Sequence, residues 1–255
     1  MHGLKSVLQH DRQVNIMTRP YYEAYDDRYR QVHAQTLEWF SRTPSPIVAE
    51  TLHKYGLTPE HKLLELGCGE GRDAYPLLDA GYDLLATDVS AEAIGFCRRQ
   101  APRHADHFQV LDCVGGTLEG RFDFIYAVAV VHMLVEDAHR QGFYAFIREH
   151  LTPGGIALIC TMGDGTTERS SDIRTAFDLQ ERTHEESGQT LRIAGTSCRM
   201  VSFQTFETEL AHAGLAVLEQ GITAVEPDFP QMMYAVVRGE YSRKQSTMPW
   251  FHIDK

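Results

Sequence analysis

The stretch that decides the fold is Leu63-Leu-Glu-Leu-Gly-Cys-Gly-Glu-Gly-Arg-Asp73, an apolar run that leads directly into three alternating glycines. Glycine has no Cβ atom, so the backbone at Gly67, Gly69 and Gly71 can turn sharply and approach a ligand closely. The residues that follow are predicted to form a helix, whose N-terminus would add a partial positive charge. The stretch therefore predicts a strand, a tight turn and a helix, with a polar or anionic ligand at the turn.

From residue 63 onwards, short apolar runs alternate with amphipathic stretches, a pattern typical of β-α-β units with helices on both faces of a sheet. The predicted strands are Leu63–Leu66, Asp83–Ala86, His107–Leu111, Phe122–Val128, Ile156–Thr161, Ala216–Thr223 and Met232–Val237. Helices are predicted at about 71–80, 91–101, 136–150 and 203–213. The fold class that follows is α/β, with a seven-stranded, doubly wound, mostly parallel sheet.

The other segments are predicted to flank this single domain. Residues 1–44 are expected to form an N-terminal helical cover, with one helix over Tyr21–Phe40, and residues 45–240 the main domain. Residues 162–200 are polar and show no strand pattern, so we interpret them as an insertion long enough to be functional. Residues 241–255 are expected to be a C-terminal tail.

Composition excludes several classes of function. The chain has 255 residues and a formal net charge of −11, which disfavours nucleic acid and anionic membranes as partners. Its five cysteines are widely spaced without a C-x-x-C pair, and its histidines show no ligand spacing, so no metal site is expected. The first twenty residues lack a signal-peptide core, and the longest apolar run, Phe124–Val131, falls short of the ~20 residues of a membrane span. We therefore expect a cytoplasmic protein.

Acidic residues follow the predicted strands. Asp88 ends the second strand about twenty residues after the first glycine, where an acid in a doubly wound sheet can accept hydrogen bonds from both ribose hydroxyls. The alternative is that Asp88 only caps the next helix, a role that Ser90 can also take. Asp112 follows the third strand. Because ligands of open α/β sheets bind outside the carboxyl ends of the strands, Glu65, the glycines, Asp88 and Asp112 are predicted to converge on one crevice.

Together these motifs resemble the class I methyltransferases that use S-adenosyl-L-methionine (SAM), over about residues 45–238. Glu65-Leu-Gly-Cys-Gly-Glu-Gly71 resembles the first motif of that family, Asp88 its ribose-binding acid, Asp112-Cys113 its adenine-edge position, Phe122–His132 its fourth-strand motif and Leu151-Thr-Pro-Gly-Gly155 the turn into its fifth strand. The resemblance implies a Rossmann-like sheet of order 3-2-1-4-5-7-6 with an antiparallel seventh strand. One departure is that the fourth-strand run carries no acidic or amide side chain at its end.

The resemblance also implies SAM as cofactor, S-adenosyl-L-homocysteine as product, and an O, N or S atom of a small molecule as methyl acceptor. The cofactor contacts it implies are Tyr22, Glu65, Gly67, Cys68, Gly69, Asp73, Asp88, Val89, Asp112, Cys113, Ala127 and Val128. His132 is the candidate general base, and its alternative role is a strand-end histidine that bonds to backbone. A monomer or a homodimer is expected.

Other functions stay open at this point. A nicotinamide-dependent oxidoreductase would use Gly-x-Gly-x-x-Gly, one residue longer than the spacing here, and Glu70 would repel its pyrophosphate. A SAM-binding sensor, or an enzyme that cleaves SAM, would keep the cofactor site without transferring a methyl group.

The sequence predicts the acceptor site less clearly than the cofactor site. The resemblance implies that the segment with Tyr21, Tyr22 and Tyr25 folds across the cofactor, although the spacing of these tyrosines also fits a half-buried helix face. Met162-Gly-Asp-Gly165 is a candidate wall of the acceptor site, or an ordinary turn. Arg192 and Arg199 are candidate partners for an acidic substrate, or solvated side chains.

Overall fold

The structure is a computed structural model, and it describes residues 19–184 and 186–240. The predictions for residues 1–18 and for the tail 241–255 lie outside the described residues. Strands in the described part of the chain are β1 (Lys62–Leu66), β2 (Asp83–Asp88), β3 (Phe108–Val110), β4 (Phe122–Val128), β5 (Leu151–Met162), β6 (Arg169–Ser170), β7 (Leu179–Thr183), β8 (Thr190–Ala194), β9 (Arg199–Met200), β10 (Leu215–Val225) and β11 (Phe229–Gly239).

The helices flank these strands. They are α1 (Ala24–His33), α2 (Pro46–Lys54), α3 (Ala74–Asp79), α4 (Ala91–Gln100), α5 (Asp137–His150) and α6 (Phe203–His212), with 3-10 turns at Tyr21–Glu23, Pro102–His107, Val131–Met133 and Ile173–Thr175. Ser202 caps α6 by accepting from the Thr205 N–H, and Gly214 follows the helix with φ +72°, as the sequence predicts. Within the described ranges, no helix is both long and apolar enough to cross a bilayer.

Seven strands form the main sheet, in the order β10-β11-β5-β4-β1-β2-β3. The pairs from β5 to β3 are parallel, whereas β11 runs antiparallel to both β5 and β10. Counted along the chain, this is the order 3-2-1-4-5-7-6, which confirms the predicted fold class. The fifth strand begins earlier than predicted, because Leu151 already pairs with Phe122.

Two hydrophobic cores cover the two faces of the sheet. On one face, Leu64 and Ile125 pack with α5 and α6, and on the other face Leu63 and Phe124 pack with α2, α3 and α4. Neighbouring residues of a strand point to opposite faces, so a strand covered on both faces is apolar throughout. This is why the apolar runs of the sequence locate the central strands so well.

The predicted helix over Tyr21–Phe40 is wrong at its C-terminal end. The helix α1 ends at His33, and Thr36 takes φ +60°. The chain then turns so that the Trp39 and Phe40 N–H groups donate to the carboxylate of Glu70, over 2.8 to 3.0 Å. A contact with a residue far along the chain therefore sets this helix end.

The insertion 162–200 contains strands, which corrects the prediction that it has none. Strand β6 pairs with β9, and β7 with β8, both antiparallel. The β7–β8 hairpin presents Leu191 and Ile193 to Val32 of α1. Its other strand, β7, is almost entirely polar and solvent-facing, which hides the pairing from a hydrophobicity pattern.

Candidate functional site

A cleft of about 920 Å³ opens at the carboxyl ends of β1, β2 and β4. Open α/β sheets bind ligands at this edge, on either side of the point where the strand order reverses. Eleven of the twelve residues that the resemblance implies as cofactor contacts line the cleft: Tyr22, Glu65, Gly67, Cys68, Gly69, Asp73, Asp88, Val89, Asp112, Cys113 and Val128. The structure therefore brings these residues together, as the sequence predicts.

Asp88 lies at the end of β2, with 8% of its surface exposed. Its Oδ2 accepts from the Gly69 N–H at 2.9 Å, and its Oδ1 from the Ser90 N–H at 2.8 Å. Burial raises the pKa of Asp88 to about 6, although both N–H groups favour the ionised form. Ser90 itself caps α4 by accepting from the Ala93 N–H, so capping does not account for Asp88. Each carboxylate oxygen keeps capacity for a further donor.

Glu65 is the second acid of the cleft, and it is 3% exposed. Burial first, and then the neighbouring Asp73 carboxylate, raise the pKa of Glu65 well above its ordinary value. Its Oε2 is buried and has no hydrogen-bond partner among the described residues. A buried carboxylate oxygen without a partner is costly, so this atom fits a ligand that brings a donor, above all a cationic one.

Asp112 joins the cleft to the N-terminal segment. Its Oδ2 accepts from the Tyr22 hydroxyl at 3.1 Å, and its Oδ1 accepts from the Val114 N–H at 2.8 Å. The same cleft is also lined by apolar side chains that the sequence did not predict: Leu111, Val114, Met133 and Leu134. The arrangement suits a flat, partly polar ring.

The glycine turn differs from its prediction. The Gly67 and Cys68 N–H groups both donate to the Thr87 carbonyl, at 2.7 and 2.8 Å, and the Gly69 N–H donates to Asp88. No phosphate is therefore needed to satisfy them. At Gly67, φ is +74° and a Cβ atom would lie 2.3 Å from Val130 Cγ2, so glycine is required here by a protein contact. The helix that follows starts only at Ala74 and is six residues long, so the predicted dipole contribution is small.

The N-terminal segment covers the cleft. Tyr22, Tyr25, Tyr29 and Phe40 line it, and the Tyr29 hydroxyl lies 2.7 Å from the position of a Cβ atom at Gly69. Tyr21 faces elsewhere: its hydroxyl accepts from the Val135 and Glu136 N–H groups, ahead of α5. The predicted tyrosine cover is thus built from Tyr22 and Tyr25, with Tyr29 one helical turn further on.

Polar contacts hold α1 against the core. His33 lies between two carboxylates, with its Nε2 2.9 Å from Glu70 Oε1 and its Nδ1 2.9 Å from Glu92 Oε1. Burial lowers the pKa of His33, but the hydrogen bonds to Glu70 and Glu92 outweigh it and raise the pKa overall. Asp26 Oδ1 accepts from Ser90 Oγ and from the Glu92 N–H, at 2.8 and 3.0 Å.

Two predicted site residues lie outside the cleft. Ala127 is fully buried in the core of the sheet and does not line the cleft, because successive residues of β4 alternate between the faces. His132 lies in the 3-10 turn after β4 and lines a larger adjoining cavity. Burial, helped by Arg140 and Arg28, lowers the pKa of His132 to about 3, and its Nδ1 is buried without a hydrogen-bond partner among the described residues.

The adjoining cavity is an open space of about 2540 Å³, continuous with solvent, between α1, the insertion and the β10–β11 turn. It shares Tyr25, Phe40, Ala129 and Phe229 with the cleft, so the two spaces meet. Phe229 lines both spaces and was not predicted from the sequence, since it is the first residue of β11 and precedes the predicted strand Met232–Val237. Met162 lines the cavity as predicted, whereas Asp164 instead accepts from Thr166 and Thr167 in a turn.

The two candidate arginines of the insertion are not part of this cavity. Arg199 donates to the Val135 carbonyl at 2.8 Å and to Asp137 Oδ1 at 2.5 Å. Arg192 is an exposed residue of β8. Of the arginines that do line the cavity, Arg28 is almost fully buried, although nothing in its sequence context distinguishes it.

Comparisons with known proteins agree with this geometry. A family described as "Methyltransferase domain" matches residues 64–157, from β1 into β5. The chain is 33% identical over 152 residues to hemagglutinin 1 of Eikenella corrodens, which covers 52% of this chain and 49% of that protein. It is 27% identical over 117 residues to the ubiquinone biosynthesis O-methyltransferase of Rickettsia prowazekii (strain Madrid E), with 46% of each chain covered. The chain thus spans about half the length of these curated relatives.

Among solved structures, the glycopeptide N-methyltransferase MtfA complexed with SAM matches with a TM-score of 0.55 and 21% identity, over 75% of this chain and 86% of that chain. At this identity the similarity shows the fold. The strand order, the position of the cleft and the domain match agree with one another, and they confirm the resemblance of this chain to the class I SAM-dependent methyltransferases.

Proposed function

We propose that this protein binds SAM in the cleft and transfers its methyl group to an O, N or S atom of a small-molecule acceptor. The observation that carries the proposal is the pairing of two spaces. A cleft with Asp88 and Glu65 in its wall opens into a second cavity large enough for an acceptor. A SAM-binding sensor has no need of the second cavity.

The residues of the cleft fit the cofactor chemically. Asp88 would accept hydrogen bonds from the ribose hydroxyls, and the partnerless Glu65 Oε2 would accept from the amino group of the methionine part. The Glu65 contact would take the place of the acidic or amide side chain that is missing at the end of β4. Asp112 and the apolar residues around it would hold the adenine ring. When bound, SAM supplies an activated methyl group on a sulfonium leaving group.

The protein's part in the reaction is then mostly positioning. Holding a nucleophile in line with an activated methyl group contributes much of the acceleration, and a base is needed only where the nucleophile carries a proton. His132, with a pKa of about 3, is neutral at physiological pH and a weak base, so we assign it a hydrogen bond to the acceptor. The tyrosines of α1 would keep water away from the sulfonium.

Titration calorimetry with S-adenosyl-L-homocysteine tests the proposal. Losing hydrogen bonds to a charged acceptor costs about 1.5–3 kcal/mol, so Asp88→Ala should weaken binding roughly 10- to 100-fold. The matched control is Asp83→Ala, at the exposed start of the same strand, which should bind like the wild type. Unchanged affinity in Asp88→Ala would remove the ribose assignment.

The product identifies the reaction. With SAM and a suitable acceptor, we expect S-adenosyl-L-homocysteine, whereas release of methylthioadenosine would indicate cleavage of SAM instead. Binding of a nicotinamide dinucleotide in place of SAM would favour the oxidoreductase alternative. The domain boundaries at 44 and 240, the cytoplasmic location and the oligomeric state stay predictions.

A further inference from the structure

Arg28 of α1 is a buried cation at the wall of the larger cavity, with 7% of its surface exposed. Its Nε and Nη2 donate to the Ala194 carbonyl at 3.1 and 2.9 Å. Its Nη2 also donates to the Gly195 carbonyl at 2.8 Å and to Thr196 Oγ1 at 2.9 Å. All of these acceptors are uncharged, so the guanidinium has hydrogen bonds but no counter-ion among them.

No carboxylate of the described residues forms an ion pair with Arg28. Two acids of the cavity wall are already engaged, because Asp228 accepts from Arg72 and Ser41, and Glu38 pairs with Arg42. A third acid, Glu186, is exposed to solvent. Burial lowers the pKa of Arg28, as expected for a charge taken out of water without an opposite charge beside it. Buried charges in proteins are normally paired, so the cavity is built to receive a negative charge.

Aromatic side chains form much of the rest of the cavity. Trp39, Phe40, Phe229 and Tyr25 line it, and the Arg28 guanidinium lies 5.0 Å from the ring centroids of Tyr25 and of Trp39. Phe40 and Phe229 pack with ring centroids 5.6 Å apart where the cavity meets the cofactor cleft. Such walls favour a flat apolar molecule, since ring faces and edges pack against it with little loss of side-chain entropy.

A second polar side chain, His132, faces the same space. His132 Nδ1 is buried, has no partner among the described residues and belongs to a side chain of the cavity wall. Burial first, and then the positive charges of Arg140 and Arg28, lower the pKa of His132 to about 3, which favours the neutral imidazole. A neutral imidazole can bond to a hydroxyl or amino group of a ligand without demanding a charge there.

We propose that the methyl acceptor is an aromatic carboxylate, whose ring packs against Trp39, Phe40 and Phe229 and whose carboxylate pairs with Arg28. This inference rests on the proposed function, because the ligand is a methyl acceptor only if the protein transfers a methyl group. Binding of an aromatic carboxylate at this site does not itself depend on methyl transfer. The carboxylate of the ligand supplies the counter-ion that the buried guanidinium lacks. A polar substituent of the ligand's ring bonds to His132 beside the cofactor cleft.

Matched pairs of ligands test the inference. The probes are 4-hydroxybenzoate, indole-3-acetate and 2-naphthoate, each compared with its primary amide, which has the same shape and no charge. Binding is measured by calorimetry on the full chain, with and without saturating S-adenosyl-L-homocysteine. A charged hydrogen-bonded pair in a desolvated site should make at least one carboxylate bind about tenfold or more tightly than its amide.

Variants assign the preference to Arg28. We expect Arg28→Met to lose the preference and Arg28→Lys to keep part of it, while the control Arg192→Met, an exposed arginine of β8, behaves like the wild type. Circular dichroism and S-adenosyl-L-homocysteine affinity show whether each variant is folded. If Arg28→Met does not fold, the side-chain Nε–H resonance of Arg28, assigned by its loss in Arg28→Lys, should shift with the carboxylate and not with the amide.

Three results would overturn the inference: no carboxylate binding at millimolar concentration, equal binding of carboxylates and amides, or a preference that persists in folded Arg28→Met. Failure of the proposed function is a separate result, namely absence of S-adenosyl-L-homocysteine binding to the wild type. In that case the measurements without cofactor still decide whether Arg28 binds an anion.

Discussion

Cofactor affinity should fall as the pH drops through about 6, because Asp88, which we propose to bind the ribose, must be ionised to accept strongly from the ribose hydroxyls. Burial first, and then the carboxylates of Asp26 and Glu70, raise the pKa of Asp88 to about 6. Ribose hydroxyls donate to the ionised form, so they lower this pKa in the complex and binding near pH 6 releases a proton. In the free protein, the Asp88 carboxyl group is ionised in about one-tenth of the molecules at pH 5 and in almost all of them at pH 8. The Kd should therefore rise roughly tenfold between pH 8 and pH 5.

Calorimetry with S-adenosyl-L-homocysteine from pH 8 to pH 5, in buffers of different ionisation enthalpy, measures both the Kd and the released proton. Asp88→Asn, which cannot ionise, should bind weakly with a flat profile. The pKa of His33 is raised, and its protonated form, which low pH favours, holds Glu70 and Glu92, so any effect of His33 on binding has the opposite sign. His33→Gln should therefore keep the acid-side loss. A constant Kd in the wild type, or an equal slope in Asp88→Asn, would refute the reasoning.

Two further predictions concern the N-terminal segment. Hydrogen exchange across residues 19–35 should slow on adding S-adenosyl-L-homocysteine, because the tyrosines of α1 line the cleft; identical exchange with and without the ligand would make α1 a static part of the surface. His33 has a raised pKa in the folded protein, so its stabilisation is complete below its ordinary pKa and is lost as the pH rises through the raised value. The Tm of wild type should therefore exceed that of His33→Gln by more at pH 6 than at pH 9, and a pH-independent difference would contradict this contact.

The sequence predicts the sheet well because strands that are buried on both faces consist mostly of apolar residues, and these strands are visible in the sequence as apolar runs. The bounds of the strand Phe122–Val128 are predicted to the residue, since every side chain except that of Asp123 enters one core or the other. The position of Asp88 can also be predicted from the sequence, because the carboxyl ends of the strands lie at the ligand-binding edge of a doubly wound sheet. These features depend on local pattern and topology alone.

The features that escaped prediction depend on partners far apart in the chain. The end of α1 at His33 follows from N–H groups that bind Glu70, and no local signal marks it. The backbone N–H groups of the glycine turn look available in the sequence, but Thr87 and Asp88 accept from them in the fold.

Arg28 shows the same limit for a side chain. An arginine in a helix rich in charged residues suggests exposure to solvent, and only the β8 carbonyl of Ala194 and the two residues after it explain its burial. The short strand β8 that supplies these contacts was itself not predicted, because its partner β7 is polar.

The helix α1 is fastened on both sides, and this has a kinetic consequence. Asp26 holds it to the start of α4 beside the cofactor cleft, while Arg28 and Gln31 hold it to β8 of the insertion beside the larger cavity. A displacement of α1 that admits the cofactor would therefore also dismantle one wall of the larger cavity, where we propose that the acceptor binds. Substrates should then bind in a compulsory order, the cofactor first and the acceptor second, and S-adenosyl-L-homocysteine should leave last.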